Sequence, residues 1–254
     1  MEYITVKGLI VQQTDFNEAD RMLTILTDTE GVVSVKAAGV KSLKRKDISG
    51  AKLFIYGEYI LTKSGDHYGL KECNIITPFF DISNDIESLG IGCYILDIAG
   101  SAALPGEPNM MLLRLTLNTL YALNQGKTDK KLIKAAYELK VCDLIGYTPH
   151  TFECLSCFEE ISEIAEKDAF CYFDMLNGGI TCKNCVGIPD KNIIKINMAT
   201  VNAINYVIDA DIKAYLSFNL KQEFLSELSE ICEKFFLLHS GFKPKSLDYL
   251  ANVK

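Results

Sequence analysis

The chain changes its hydrophobic rhythm once. Up to about residue 77, apolar and polar positions alternate in short runs bounded by turn residues. Residues 4–11, 22–27, 32–37, 53–61 and 68–76 are rich in valine, isoleucine, threonine and tyrosine and read as five strands. Asp28-Thr29-Glu30-Gly31 supplies a turn that makes the second and third runs a hairpin, and Ser64-Gly65-Asp66 supplies another between the fourth and fifth. Five short strands in under 80 residues suit a small closed barrel. The OB-fold is the five-stranded barrel that binds oligonucleotides, and an SH3-like barrel fits the strand count as well. Pro78 ends this region.

From Asn84 onward the apolar residues recur every three or four positions. Leu113, Thr116, Leu117, Leu120 and Tyr121 form one helix face, and Leu132, Ala135, Leu139 and Cys142 another. Leu220, Phe224, Leu228, Ile231, Phe235 and Leu238 form a long stripe that stops at Gly241. Such stripes normally bury themselves in a helix bundle. The expected class is therefore α+β. Residues 1–80 form a five-stranded barrel, and residues 81–254 form a helical domain with an inserted cysteine finger at about 148–190.

Composition adds a difference between the halves. The net charge is −7, from 26 Lys+Arg and 33 Asp+Glu. Residues 1–80 are neutral, so residues 81–254 carry all of it, which points to two domains with different partners. The 48% hydrophobic content is that of an ordinary globular chain and excludes whole-chain disorder. The N-terminus lacks the basic start and apolar stretch of a signal peptide. The most apolar stretch, 91–104, is too short to span a bilayer and contains Asp97. A cytoplasmic protein with no membrane partner is expected.

Two patterns carry chemistry. Four of the nine cysteines form Cys154-Leu155-Ser156-Cys157 and Cys182-Lys183-Asn184-Cys185. Each pair can place two thiolates on one metal, and two pairs complete a tetrahedron. Four protein ligands leave no position for water, so the expectation is one structural Zn2+ held by Cys154, Cys157, Cys182 and Cys185. Gly178-Gly179 supplies a permissive turn before the second pair. The alternative is a redox Cys-x-x-Cys with a low-pKa thiol. His150 and Cys171 are nearby but lack the paired spacing.

The second pattern is basic. Lys36, Lys41, Lys44, Arg45 and Lys46 fall within eleven residues with no acid among them, in a stretch punctuated by Gly39 and Ser42. On a small barrel such a loop is either a solvated surface or a docking site for phosphates. Phe54, Tyr56, Tyr59 and Tyr68 could stack on bases or fill the barrel core. Catalytic signals are weak. The three histidines have no paired carboxylate context, and Gly126-Lys127-Thr128 follows a helical stripe where a phosphate-binding loop needs a strand. No enzyme activity is expected. The rival class is a zinc-ribbon transcription or translation factor.

Four segments in order resemble the RecO family of bacterial recombination mediators. They are residues 17–27 with Glu30-Gly31, residues 138–149 leading into Cys154 and Cys157, Phe173-Asp174 with Gly178-Gly179 and the second cysteine pair, and residues 239–247. The resemblance implies an N-terminal OB-fold, a helical domain and a zinc finger within it. It implies binding to single- and double-stranded DNA at Arg21 and at Lys36, Lys41, Lys44, Arg45 and Lys46. It also implies annealing of complementary strands and help in loading RecA onto strands covered by single-stranded DNA-binding protein (SSB). The partners implied are RecR and the acidic tail of SSB, in a bacterial cytoplasm close to the nucleoid. Arg114, beside Leu113 and Leu117, is the expected cation for that tail.

Overall fold

A computed structural model describes residues 2–41, 50–65 and 67–252, without the side chains of residues 251 and 252. The expected five strands are present as β1 (Glu2–Asp15), β2 (Arg21–Thr27), β3 (Val32–Ala37), β4 (Ile55–Ser64) and β5 (His67–Pro78). Their pairing order is β1-β2-β3-β5-β4, and β4 returns to β1, so the sheet closes. Closure removes the unpaired strand edges that invite association. It depends on β1 serving two neighbours. Residues 2–9 pair with β4, and residues 8–15 pair with β2. Gly8 stands where the two ladders overlap, and a Cβ there would lie 2.6 Å from Ile25 Cγ2, so only glycine lets β2 approach. Val6, Ile10, Leu23, Ile25, Val35, Tyr59 and Leu61 fill the interior.

The fourth strand starts later than its sequence pattern suggests, at Ile55 and not at Leu53. Phe54 has φ +64 and is buried, and its ring lies against Gly92. A bulky residue in left-handed backbone cannot continue a strand. Phe54 instead acts as a plug, and the strand begins after it.

Contacts divide the described chain into two compact units, 1–127 with 244–254, and 128–243. The first unit holds the closed sheet, α1 (Ile86–Ala102), α2 (Met110–Gln125) and α7 (Leu247–Asn252). The compact division at 127/128 therefore falls later than the strand-to-helix change at 80. The reason is packing: α1 and α2 both lie against β1 and β2. Gly126 closes α2 in left-handed backbone, its N–H on Leu123 O, so the Gly-Lys-Thr triplet begins as a helix cap. No helix among the described residues is long and apolar enough to cross a membrane.

The second unit contains α3 (Lys130–Leu144), β6 (His150–Cys154), α4 (Ile161–Lys167), β7 (Phe170–Asp174), β8 (Gly179–Thr181), β9 (Ile193–Asn197), α5 (Met198–Asp209) and α6 (Gln222–His239). The short strands form a sheet in the order β6-β8-β7-β9. β7 turns into β8 through Gly178, which has φ +64. On β7, Cys171 and Phe173 face inward, and Phe173 meets the ring of Phe235 from α6 edge-on.

The helical stripes need one correction. The buried face of α6 is Leu225, Leu228, Ile231, Cys232, Phe235 and Phe236, whereas Leu238 is 47% exposed. The apolar set of this helix exceeds one face, so a second register through Leu220, Phe224 and Leu238 reads equally well in the sequence. α3 is buried on every side, including Lys134, Glu138 and Lys140. Lys140 Nζ donates to Ile208 O and Ala210 O, at 2.7 and 2.8 Å, and so caps the end of α5 with a cation.

Candidate nucleic-acid interface and metal centre

The basic residues of the first unit do not stand alone. Arg21 opens β2, Lys36 lies on β3 and Lys41 follows β3. All three reach the loop between β1 and β2. Arg21 Nε donates to Asp15 Oδ1 at 3.0 Å, and Lys41 Nζ meets Asp15 Oδ2 at 2.9 Å. Lys36 Nζ lies 3.2 Å from Asp20 Oδ2. Lys41 also donates to Asn17 O. The hydrogen bonds from Lys41 and then Arg21 hold the Asp15 carboxyl below its usual pKa. Asp20 is lowered too, first by the Gly39 backbone N–H, then by Asn17 and Lys36. Lys44, Arg45 and Lys46 lie outside the described residues.

The loop that carries these acids is built to hold its shape. Asn17 Oδ1 accepts from Ala19 N at 2.9 Å and from Asp20 N at 2.7 Å, a side-chain turn that mimics a backbone one. Lys41 N donates to Ala19 O, which ties this loop to the start of the basic segment. At its tip Phe16 is 60% exposed, with Lys36 Nζ 5.2 Å from the ring centroid.

Three of the residues that matter here, Asp15, Phe16 and Asp20, escape a reading by charge runs. The turn-forming Asn17 and Asp20 were the available signal. The four aromatic candidates fall out differently. Phe54 and Tyr59 are buried in the core, and the Tyr68 hydroxyl donates to Glu30. Tyr56 is half-buried.

Arg114 is exposed on α2, in the same compact unit as the closed sheet. Leu113, Thr116 and Leu120 point into that unit, so they cannot wall a groove beside it. The exposed apolar neighbours on Arg114's side are Met110, Met111 and Tyr121.

The second unit brings the four predicted cysteines together. The ligand atoms of Cys154, Cys157, Cys182 and Cys185 all lie within 4.8 Å of one another. Cys154 ends β6, and the second pair follows β8, its strand neighbour. Leu155 N donates to Ile180 O at 2.8 Å, which aligns the two turns. The Cys157 and Cys182 sulfurs are 3.8 Å apart. A tetrahedral ion with metal–sulfur bonds of about 2.3 Å requires sulfurs about 3.8 Å apart. The donor set, spacing and count therefore suit one metal ion. Neither His150, bonded to Glu153, nor buried Cys171 belongs to the cluster.

Electrostatics at the cluster point the same way. Burial opposes ionisation of Cys154. Backbone N–H groups of Cys157, Cys182 and Ser156 outweigh it and bring the thiol down to about 7. Cys185, hydrogen-bonded to Cys182 and Cys157, is pushed up to about 12. Four thiols this close cannot all ionise unless a cation joins them.

Residues 1–79 match the family profile for the recombination protein O N terminal, and residues 83–248 that for the recombination protein O C terminal. The DNA repair protein RecO of Acetivibrio thermocellus is 29% identical over 253 residues, covering 100% of this chain and 98% of that protein. RecO of Clostridium perfringens is 29% identical over 256 residues, covering 100% of both. RecO of Alkaliphilus metalliredigens is 26% identical over 236 residues, covering 93% of each. Two profiles in the right order and relatives matched end to end leave one conclusion: the chain belongs to the RecO family of DNA repair proteins.

Proposed function

We propose that this protein is a recombination mediator that binds DNA through the first unit and performs no chemical step. The closed sheet is read as an OB-fold barrel, because its parallel β3–β5 pairing and strand order accommodate a five-stranded Greek key. In that fold the β1–β2 loop and the face of β2 and β3 hold oligonucleotides. The observation that carries the reading is the convergence of Arg21, Lys36 and Lys41 on that loop and face. Lys44, Arg45 and Lys46 extend the same positive stretch in sequence.

Phosphates of single- or double-stranded DNA would take up these cations, and two strands neutralised in this way repel each other less. Annealing of complementary strands then needs no energy source. The second unit contributes a structural Zn2+ on its four cysteines. Zinc supplies a cross-link between the two turns, and the four thiolates leave no open position for reaction.

The partners are those the family resemblance implies: RecR, the SSB tail, and RecA indirectly, in the bacterial cytoplasm near the nucleoid. For the acidic SSB tail, Arg114 with Met110, Met111 and Tyr121 offers a cation beside exposed apolar side chains.

The test is strand annealing, with and without SSB, by the full chain and by its Lys36→Glu/Lys41→Glu variant. For single strands each phosphate contact contributes about −0.7 to the slope of log K against log salt. The double variant should lower that slope by about 1.4 in magnitude and abolish annealing. Parental annealing by the variant would overturn the reading.

A further inference from the structure

We propose that Phe16 is the residue on which a base of single-stranded DNA stacks. The inference rests on the phosphate-binding reading above and adds a contact that charge cannot supply.

An isolated exposed phenylalanine is ordinary on a protein surface. Phe16 differs in two respects. First, its backbone is fixed. Phe16 N and Asn17 N donate to Asp20 O at 3.1 and 3.5 Å, and the Asn17 side chain clamps the turn from within. The ring is therefore presented by a loop that loses little freedom when a ligand arrives. Second, cations stand on two sides of it. Lys36 lies over the ring, and Arg21 with Lys41 meets at Asp15, the residue before it. A strand whose phosphates follow these cations passes the ring, and every base has a face that can stack on it. Lys36 already joins the ring to Asp20, so a phosphate that draws this lysine away also uncovers the ring. The buried Phe54 and Tyr59 cannot take this role.

The sequence contains no tryptophan, which allows a direct readout. Phe16→Trp creates a single indole fluorophore at the loop tip. Oligo(dT) should quench its emission, and an abasic strand of equal length should not. Phe16→Ala and Phe16→Leu should bind oligo(dT) about tenfold more weakly, within the range of a single base–aromatic stack. Their salt slope should equal the parent's, because no phosphate contact is lost. Affinity for the abasic strand should also equal the parent's.

Parental affinity of Phe16→Ala for oligo(dT), together with indole emission from the Phe16→Trp variant that oligo(dT) leaves unmoved, overturns the proposal. If Lys36→Glu/Lys41→Glu still loses binding in that case, the phosphate site stands and only the stacking falls. If that variant also binds as the parent does, the barrel reading fails with it.

Discussion

Two clusters of lysine and carboxylate, one in each unit, show what burial does to the same chemistry. In the second unit Lys134 Nζ lies 2.6 Å from Glu138 Oε1 and 2.6 Å from Glu233 Oε2, and Glu138 has no exposed surface. Burial opposes the charge on Lys134, but the two glutamates outweigh it and raise its pKa above the usual lysine value. In the first unit Arg21 and Lys41 meet Asp15, whose side chain is 62% exposed. Water and salt screen that group, and its carboxylate can change partners at little cost. The buried cluster fixes α3 against α6 within its unit. The exposed one leaves its cations available to phosphate. One arrangement is structural and the other functional, and solvent makes the difference.

The largest way to break this contrast is to remove the metal. Structural zinc in small fingers contributes about 10–16 kcal/mol to folding. A strong chelator, or Cys→Ser at Cys154, Cys157, Cys182 or Cys185, should collapse the sheet β6-β8-β7-β9. Hydrogen exchange should lose protection there and keep it in β1–β5, whose core is apolar. Metal analysis of protein purified without chelator should find one zinc per chain. Absence of zinc, or equal loss of protection in both units, would show that the finger is not held by metal.

A smaller effect separates the buried cluster from the exposed one. Lys134→Met leaves the Glu138 carboxylate buried without its lysine, and breaking a buried pair in this way costs about 3–5 kcal/mol. The double variant Lys134→Met/Glu138→Leu removes both charges and should recover most of that loss, because an apolar replacement of similar volume is often neutral. Thermal unfolding reads both. If the single and double variants are equally destabilised, packing and not uncompensated charge is the cause.

The same contrast explains what the sequence disclosed. The metal site was legible because its chemistry is local: two Cys-x-x-Cys turns and the Gly178-Gly179 turn declare themselves within a few residues. The strands were legible from alternation, except that Phe54 turned left-handed to meet Gly92, a contact made across the fold. The helices were legible as helices, but the face α6 buries was not, because Phe224 and Leu238 compete with Leu225 and Cys232 for the apolar stripe. The basic patch was half legible. Its cations form a run, whereas Asp15 and Asp20 join them only after β1 and β3 are brought beside β2. Charge runs report composition along the chain, and the sheet decides which acid meets which base.

The smallest effect tests whether those acids restrain binding. Asp15 and Asp20 both have folded pKa values below the unfolded aspartate value of about 3.9. A carboxylate depressed in this way contributes stability above the unfolded pKa. The contribution disappears as pH falls through the folded value, so it is present in full at neutral pH and fades below about pH 4. Both groups are solvated, so Asp15→Asn/Asp20→Asn should barely change unfolding at pH 7 and should slightly flatten the acid limb of stability. DNA binding should respond in the opposite sense. At present Asp15 competes with phosphate for Arg21 and Lys41, and Asp20 competes for Lys36. Removing both negative charges should tighten single-stranded DNA binding at pH 7 by about two- to fivefold, the scale of exposed ion pairs, with a steeper salt slope. Weaker binding by the double variant would mean that the carboxylates aim the cations at the strand, and that the loop is pre-set for DNA and not held back from it.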